Sequence, residues 1–395
     1  MDPQKRSREL AVDIVSKLVE AGFIAYFAGG FVRDLLLGKE PTEIDIATSA
    51  SPEQVMSLFP KTLAVGIAFG VVIVVIGQHQ FEVATFRYED TYLDGRHPSY
   101  ISFSSAQEDA QRRDFTINGM FYDPLTENIY DFVGGQQDLK LRLVRAIGSA
   151  KDRFAEDRLR MLRAVRFATR LGFRIEEHTA KAIQLYASSL FPSVSMERIW
   201  QELSKMAEGP RPEFAFIMLH RLGLLATIFP DLHELSLEDI EKRVAHFSYY
   251  PQQCPAIFYV HAVVPEMGIK VCQYLKTSNR DIKLLETLLN LPKDTDLVAW
   301  AHYYALPAAW LCLEVLAASS QDPSFLKEHE KRKQHLHLHI ERITKKKPLV
   351  CAQILQEHGI LPGPNMGELL RQAERIAIEH NLEDHNEILK RLNIS

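Results

Sequence analysis

Cysteine is scarce in this chain, with only four among 395 residues. They are scattered, and no two of them form a CxxC pair: Cys254, Cys272, Cys312 and Cys351. Disulfide scaffolds and zinc-ribbon sites need closely spaced cysteines, so the pattern argues against both. Isolated thiols are typical of proteins that are kept reduced in the cytosol.

Long apolar runs are also lacking. No unbroken run exceeds that of Val71–Ile76, whereas a membrane-spanning helix needs about 20 apolar residues. The first ten residues, MDPQKRSREL, are charged and lack the apolar segment of a secretory signal. We therefore expect a cytoplasmic protein with no membrane partner.

An excess of positive charge is absent too. The formal net charge is -5 at pH 7, with 46% hydrophobic and 25% charged residues. This balance is ordinary for a globular protein and excludes one that coats nucleic acid indiscriminately. Any RNA-binding surface therefore has to be local, on a chain long enough for two or more domains.

One stretch organises the rest of the chain: AYFAGGFVRDLLLGKEPTEIDIATSA, residues 25–50. An apolar strand ends at Gly29 and Gly30, a helix follows, and the next strand carries Glu43 and Asp45. A strand–glycine–helix turn presents backbone N–H groups to an anion. Side chains at i and i+2 on a strand share a face, where paired carboxylates hold divalent metal ions. The pattern predicts nucleotidyl transfer with Mg²⁺.

Two further side chains are candidates for the same site. Arg33, on the predicted helix, has the fork of donors that binds triphosphate oxygens. The alternative is a structural pair with Asp34 at the helix start. Glu82, in the segment FEVATFR, is a candidate third metal ligand, and the alternative is that it pairs with Arg87.

The periodicity of the chain predicts an α/β head with a mixed sheet, followed by helices. The predicted strands cover residues 23–28, 43–48, 71–76 and 81–86, with a hairpin turn at Gly77. Residues 88–109 are turn-rich and polar, which predicts a mobile loop. Beyond about residue 138 the strand pattern stops, and helical patterns broken by prolines continue to the end.

The stretch GGFVRDLLLGKEPTEIDIATSA resembles the signature of class II tRNA nucleotidyltransferases and the related bacterial poly(A) polymerases, in the DNA polymerase β-like superfamily. The resemblance implies a nucleotidyltransferase head at 1–140 and a helical neck at 141–206 that recognises the base. It further implies a helical body at 207–295 and a tRNA-binding helical tail at 296–395. The usual family form has aspartate at both metal positions, whereas this chain has Glu43 at the first.

A second segment, RRDFTINGM at 112–120, resembles the family motif that holds the ribose and triphosphate. Arg113 supplies positive charge to phosphates, while Asp114 and Asn118 are suited to bond ribose hydroxyls. The alternative is a salt-bridged helix start.

A third segment, EDRLRMLR at 156–163, contains Asp157 and Arg160. On a helix, residues at i and i+3 lie side by side. The Asp carboxylate accepts from the exocyclic amine of C or A, and the Arg donates to the adjacent ring nitrogen. G and U present a carbonyl to the carboxylate, a mismatch that costs about 1–3 kcal/mol. The family resemblance favours this role over a plain surface ion pair.

Further cations and one loop extend the candidate site. Arg163, Arg166 and Arg170 follow at helical spacing and predict contacts with nucleotide or RNA phosphates, the alternative being a solvated helix face. In the segment YLDGRHP, residues 92–98, Asp94, Gly95 and Arg96 resemble the flexible element linked to switching from C to A addition.

These features predict template-independent addition of CCA, from CTP and ATP, to the 3′ end of tRNA, with Mg²⁺ and without a DNA partner. The segment GIAFGVVIV, residues 66–74, is similar to the tRNA-enzyme form, and no HD dipeptide indicates an appended phosphohydrolase domain. Two alternatives stay open. One is an A-adding enzyme or a poly(A) polymerase, and the other is an RNA-binding homologue weakened in catalysis by Glu43.

Overall fold

The computed structural model describes residues 3–41, 43–89, 101–293 and 295–394. The chain divides into two compact units, Met1–Ile240 and Glu241–Ser395. The loop residues Asp94, Gly95 and Arg96 lie outside the described residues. In the part of the chain that the structure describes, no helix has both the length and the apolar character needed to cross a membrane.

A seven-stranded mixed sheet forms the head. Its strands are β1 (Ala25–Ala28), β2 (Asp45–Thr48), β3 (Thr62–Gly66), β4 (Val71–Ile76), β5 (His79–Thr85), β8 (Met120–Tyr122) and β9 (Ile129–Asp131). They lie in the order β3-β4-β5-β2-β1-β8-β9, in which β2 and β5 run parallel and the other neighbours run antiparallel. The mixed-sheet head is thus confirmed, including the hairpin of β4 and β5.

The head also contains helices, and capping boxes in the sequence mark the starts of two of them. The helices of the head are α1 (Pro3–Glu20), α2 (Gly30–Leu36), α3 (Pro52–Leu58), α4 (Ala106–Gln111) and α5 (Gly135–Leu141). Ser51 and Gln54 form a reciprocal capping box that starts α3. Helix α4 places Ala110 against Ala28 and Ala47, so it covers the β1–β2 part of one sheet face.

The segment predicted as a mobile loop at 88–109 contains regular structure at both ends. Strand β6 (Arg87–Glu89) pairs with β7 (Ile101–Phe103), and α4 begins at Ala106. Ser105 caps α4 through a capping box with Glu108, a serine-to-glutamate spacing that identifies a helix start.

The rest of the first unit is helical apart from two short strands. Its helices are α6 (Ala150–Glu156), α7 (Arg160–Leu171), α8 (Glu177–Tyr186), α9 (Met196–Ala207), α10 (Pro212–Arg221) and α11 (Leu224–Ile228), and the boundary between the units falls within α12 (Leu237–Val244). Strands β10 (Leu143–Val144) and β11 (Arg174–Ile175) form a parallel pair. The sequence did not predict this pair, because strands of two residues show no alternation.

The second unit is helical, as predicted. Its helices are α13 (Ala256–Val263), α14 (Lys270–Tyr274), α15 (Asn279–Leu289), α16 (Leu297–Tyr304), α17 (Ala309–Ser320), α18 (Phe325–His335), α19 (His337–Lys345), α20 (Ala352–Glu357), α21 (Pro364–Glu379) and α22 (His385–Arg391). One core cluster surrounds Trp300 and Leu313, and another surrounds Leu355 and Ile388. The domain boundaries expected after residues 140, 206 and 295 stay predictions.

Candidate active site

Three carboxylates lie close together on the head. Asp45 is the first residue of β2, and Glu43 precedes the strand rather than lying on it. The parallel register of Ile46 with Val83 brings Glu82 of β5 beside Asp45. By its solvent-accessible area Asp45 is exposed. The protein atoms packed around its carboxyl group nevertheless disfavour the charged form, and together with the charge of Glu82 they raise the pKa of Asp45 to about 6.

This donor set suits a hard divalent cation. Carboxylate oxygens are the ligands that Mg²⁺ prefers, and it is commonly held by one or two carboxylates together with waters and substrate phosphates. A cation would also relieve the repulsion from Glu82, which adds to the effect of burial on the pKa of Asp45. Glu43 and Asp45 would hold such an ion. Within the described ranges, no group of three His, Cys, Asp or Glu side chains is arranged around one ion position, so Glu82 as a third ligand stays a prediction.

The glycine turn lies next to the second motif. Gly29 has a φ of 66°, a conformation that glycine adopts without strain. A Cβ at this position would lie 3.3 Å from Nη1 of Arg113. Gly30 begins α2, and a Cβ there would lie 3.5 Å from Nη2 of Arg33. The turn therefore allows two guanidinium groups to approach the backbone closely.

Arg33 forms the structural pair that was the alternative to phosphate binding. Its Nε and Nη2 donate to the two carboxylate oxygens of Asp34, at 2.8 and 2.9 Å. Its Nη1 donates to Oδ1 of Asn118 at 2.8 Å. Arg33 is buried, so these bonds fix its guanidinium at the edge of the site.

Asp109 anchors the arginines of the second motif, and the sequence analysis missed it. This carboxylate is buried and accepts from Nε of Arg112 at 2.9 Å and Nη2 of Arg113 at 2.8 Å. The backbone N–H of Arg87 donates to it at 3.3 Å. Burial alone would raise the pKa of Asp109, but the guanidinium groups of Arg113 and Arg112 lower it. Arg112 and Arg113 follow Asp109 at i+3 and i+4, a spacing from which these ion pairs could have been predicted.

Asp114 and Asn118 join the segment after α4 to α7. Nε and Nη2 of Arg163, on α7, donate to Oδ2 of Asp114 at 2.8 and 2.6 Å. Oδ1 of Asp114 accepts from Nδ2 of Asn118 at 3.1 Å. Because Asn118 also accepts from Arg33, one hydrogen-bonded chain runs from the glycine turn to α7. Both predicted ribose-binding residues are thus held by protein partners.

Asp157 and Arg160 do not share a helix face, so that prediction was wrong. Helix α6 ends at Glu156, Asp157 is extended with φ -143° and ψ 107°, and α7 begins at Arg160. Oδ2 of Asp157 accepts from Nη2 of Arg198 at 2.8 Å. Contacts with other segments therefore hold Asp157 and Arg160 in positions that one continuous helix would not give them.

Arg160 has its own set of partners. Its Nη1 donates to Oε2 of Glu156 at 2.7 Å, and its Nη2 donates to the backbone oxygen of Arg112 at 3.0 Å. The second bond links α7 to the same segment that carries Arg113. Arg160 and Arg113 are therefore positioned through one backbone segment.

The predicted basic stripe is largely neutralised within the protein. Arg163 pairs with Asp114, and Nε of Arg166 donates to Oε2 of the buried Glu202 at 2.6 Å. Arg170 is exposed. The stripe is therefore not a continuous row of solvated cations along the helix.

Phe167 lies among three guanidinium groups. The Cζ atoms of Arg33, Arg163 and Arg166 lie 5.4, 5.3 and 4.3 Å from the centre of its ring. A cation held over a shielded aromatic ring is stabilised by about 0.5–2 kcal/mol. No pattern in the sequence indicates this arrangement, because an aromatic residue on a helix is usually part of the core.

One cleft brings most of the predicted site residues together. It is lined by Gly29, Gly30, Arg33, Glu43, Asp45, Arg112, Arg113, Asp114, Asn118, Asp157, Leu159, Arg160, Arg163, Arg166, Phe167, Arg170, Arg198 and Lys205. Nine of them are cationic and four are acidic. The excess of positive charge favours a polyanion such as a nucleoside triphosphate. The structure thus brings Glu43 and Asp45 into one site with Asp157 and Arg160, whereas Glu82 is not among the residues that line it.

Family profiles match three consecutive parts of the chain. Residues 25–145 match the poly(A) polymerase head domain, residues 172–235 match an RNA- and SrmB-binding site of polymerase A, and residues 252–392 match tRNA nucleotidyltransferase domain 2. The match to the head contains Asp45 and Arg113.

Curated relatives match nearly the full length. The CCA-adding enzyme of Geobacillus sp. (strain WCH70) is 34% identical, covering 97% of this chain and 96% of the relative. The CCA-adding enzyme of Streptococcus mutans is also 34% identical, covering 96% and 95%.

Solved structures agree. The Bacillus stearothermophilus CCA-adding enzyme in complex with CTP superposes with a TM-score of 0.80 at 29% identity, covering 100% of this chain and 98% of the other. The Thermotoga maritima CCA-adding enzyme complexed with tRNA shares the fold, with a TM-score of 0.67 at 22% identity, covering 100% of this chain and 96% of the other. Enzymes that transfer nucleotides in this way generally use a divalent metal ion. Sequence, fold and cleft together show that the chain belongs to the family of CCA-adding enzymes, the tRNA nucleotidyltransferases.

Proposed function

We propose that this enzyme adds C, C and A to the 3′ end of tRNA, from CTP and ATP and without a nucleic-acid template. The observation that carries the proposal is one cleft that is lined both by Glu43 and Asp45 and by Asp157 and Arg160. The first pair is suited to the transfer step, and the second is suited to choosing the base. The CCA-adding enzymes named above match this chain over 96% and 95% of their own length, and they support the same activity.

Magnesium is the proposed metal. Glu43 and Asp45 would hold it, and when bound it would activate the 3′-hydroxyl and stabilise charge on the triphosphate. Arg113, held by Asp109 beside Gly29, supplies positive charge to the phosphates. Arg33, Arg163 and Arg166 surround this position, and the carboxylates that pair with them hold their guanidinium groups in place.

Base selection is proposed to rest on Asp157 and Arg160. Each carboxylate oxygen of Asp157 accepts one protein hydrogen bond, and an ionised carboxylate has about four lone-pair sites. Acceptor capacity therefore remains for the exocyclic amine of C or A. Arg198 contributes a further hydrogen-bond donor at this end of the cleft. Its Nη1 is buried and has no hydrogen-bond partner among the described residues. A buried unpaired donor is costly unless a ligand satisfies it.

The proposed setting is the cytoplasm, with tRNA, CTP and ATP as partners and no DNA. All four cysteines are free thiols, and three of them are buried. Unpaired thiols are typical of proteins in a reducing compartment.

One experiment tests the function. Purified protein is incubated with Mg²⁺ and labelled CTP or ATP, and with a tRNA that lacks CCA, a tRNA that ends in CC, or an unrelated RNA. We expect CTP to be added to the first tRNA and ATP to the second, with little extension of the unrelated RNA. Incorporation of ATP alone would identify an A-adding enzyme, and long A tails on any RNA would identify a poly(A) polymerase.

The control is Asp45→Ala, which removes the central carboxylate. If the wild-type protein bound tRNA but, like this variant, incorporated no nucleotide, the proposed activity would be wrong. The alternative of an RNA-binding homologue weakened in catalysis would then be correct.

A further inference from the structure

Strand β4 is apolar on both of its faces. Val72 and Val74 are fully buried, whereas Val71, Ile73 and Val75 lie on the opposite face and are only partly buried. An antiparallel strand with one solvated face normally alternates apolar and polar residues. Three apolar residues on the open face of β4 therefore indicate a surface that something else covers.

The neighbouring strands show how this surface is bounded. On β5, Gln80 and Glu82 are exposed on the same face, which is the normal polar alternation. On the edge strand β3, Leu63 is paired with Ile73 and is 40% exposed. We call Leu63, Val71, Ile73 and Val75 the apolar face.

The apolar face is continuous with the carboxylates. The register pairs Ile73 directly with Glu82, and β5 places Glu82 beside Asp45. Cross-strand partners share one face of a sheet. Strands lie about 4.8 Å apart, so Ile73 is roughly 10 Å from Asp45 across two strand spacings.

The cleft approaches the carboxylates from a different direction. Its lining residues on the head include Gly29, Arg33 and Arg113, which belong to the side of β1 and the segment after α4. In the sheet order, β2 stands between β1 on one side and β5, β4 and β3 on the other. Asp45 therefore has the cleft on one side and the apolar face on the other.

We propose that the apolar face binds the 3′-terminal nucleotides of the RNA acceptor, with their bases packed against Leu63 and Ile73. This inference rests on the proposed function, which requires the acceptor's 3′-hydroxyl to lie at Asp45. The π-face of any base packs on an apolar surface without sequence preference. Such tolerance is required here, because the terminal base of the acceptor changes after each addition.

The first test separates acceptor binding from nucleotide binding. We expect Leu63→Ser and Ile73→Ser each to raise the KM for tRNA about tenfold, which corresponds to the loss of one base contact. The KM for CTP should stay within about twofold of the wild-type value, roughly the change that a neutral surface substitution causes. Leu185→Ser is the matched control, since Leu185 is 71% exposed on α8. A tRNA KM that does not change, or that rises together with the CTP KM and a lowered Tm, overturns the proposal.

The second test does not depend on catalysis. A tRNA acceptor whose 3′-terminal nucleotide is 4-thiouridine is bound to the Asp45→Ala protein, irradiated and digested. We expect the crosslinked peptide to fall within residues 62–76. Crosslinks confined to residues 90–100, or to the second unit, overturn the proposal. If the wild-type enzyme extends no RNA, the proposed function fails, while the crosslink still decides whether this face binds the acceptor.

Discussion

Arg163 places two hydrogen bonds on a single carboxylate oxygen, donating from Nε and Nη2 to Oδ2 of Asp114 at 2.8 and 2.6 Å. This pair joins α7 to the motif that follows α4. Burial alone would raise the pKa of Asp114, but the guanidinium of Arg163 holds it below its usual range. The carboxylate is therefore ionised in the folded enzyme and serves as a fixed counter-charge inside the cleft.

We expect Asp114→Asn to lower the free energy of unfolding by about 2 kcal/mol, since Arg163 would lose its counter-charge in a mostly buried position. Denaturant unfolding measures this loss. The control is Asp152→Asn, which changes an exposed carboxylate on α6 and should cost no more than about 0.5 kcal/mol. In a double-mutant cycle with Arg163→Met, the two losses should be strongly non-additive. Additive losses would show that the pair contributes nothing.

Asp157 is expected to control which nucleotide is accepted. Replacing it with alanine removes the acceptor for the amine of C or A, so discrimination against UTP and GTP should fall by roughly 10- to 100-fold. Competition assays with paired nucleotides measure the ratio of their kcat/KM values. Unchanged selectivity would refute the base-reading role.

Arg198 is expected to act on selectivity through Asp157, because Nη2 of Arg198 holds its Oδ2 at 2.8 Å. Arg198→Met should reduce discrimination less than Asp157→Ala does. Lys205→Met is the matched control: Lys205 lines the same cleft from the same helix, two turns further along. This variant should weaken nucleotide binding without changing selectivity.

Asp45 is expected to be essential for transfer. Asp45→Ala should abolish incorporation of both CTP and ATP, because the central metal-binding carboxylate is lost. Filter binding should show that tRNA still binds. Glu43→Ala, which removes the carboxylate outside the strand, should retain more activity than Asp45→Ala. Appreciable incorporation by Asp45→Ala would contradict the metal assignment.

The fold of the head could be predicted because its signals are local. The six apolar residues of β4, the glycine turn and the Ser51 cap each depend on a few neighbouring residues. Strands β8 and β9 have three residues each, too few for a period of two to be recognised, and they join the sheet through tertiary pairing.

The site could be predicted only in part, for a related reason. Most of the residues that line the cleft were predicted from motifs, but Phe167 and Lys205, and the partners that hold the charged side chains, were not. Glu202 is 36 positions from Arg166, and Arg198 is 41 positions from Asp157. Such pairs leave no periodic pattern in the sequence. The break between α6 and α7 has the same origin, since no proline or glycine interrupts EDRLR and the break is stabilised by bonds to Arg198 and the backbone of Arg112.

Phe167 is expected to orient the arginines of the cleft. Phe167→Leu keeps an apolar side chain but removes the ring that faces Arg33, Arg163 and Arg166, so the KM for nucleotides should rise about 3- to 10-fold. The matched control is Phe115→Leu, because Phe115 packs edge-on against the same ring, with centroids 5.8 Å apart. Both variants should lower Tm, but only Phe167→Leu should alter nucleotide binding. Equal effects on KM would mean that the ring is only a core residue.

Glu176 is expected to make stability depend on pH. Its Oε2 accepts from the backbone N–H and the hydroxyl of Thr179, both at 2.9 Å, and its Oε1 lies 2.8 Å from Nδ1 of His178. Burial opposes ionisation, but these bonds outweigh it and lower the pKa of Glu176 to about 2. Because the folded pKa lies below the unfolded value of 4.5, the stabilisation is complete above that value and is lost as the pH falls toward 2.

Glu176→Gln should therefore destabilise the protein at pH 7, and the difference from wild type should shrink as the pH is lowered from about 5 toward 3. Urea unfolding at a series of pH values measures this difference. Glu177→Gln is the control, because Glu177 is exposed and pairs only with Lys181 at the surface of α8 among the described contacts, where an ion pair contributes little. A Glu176→Gln difference that stays constant with pH would show that the cap acts through its shape and not through its charge.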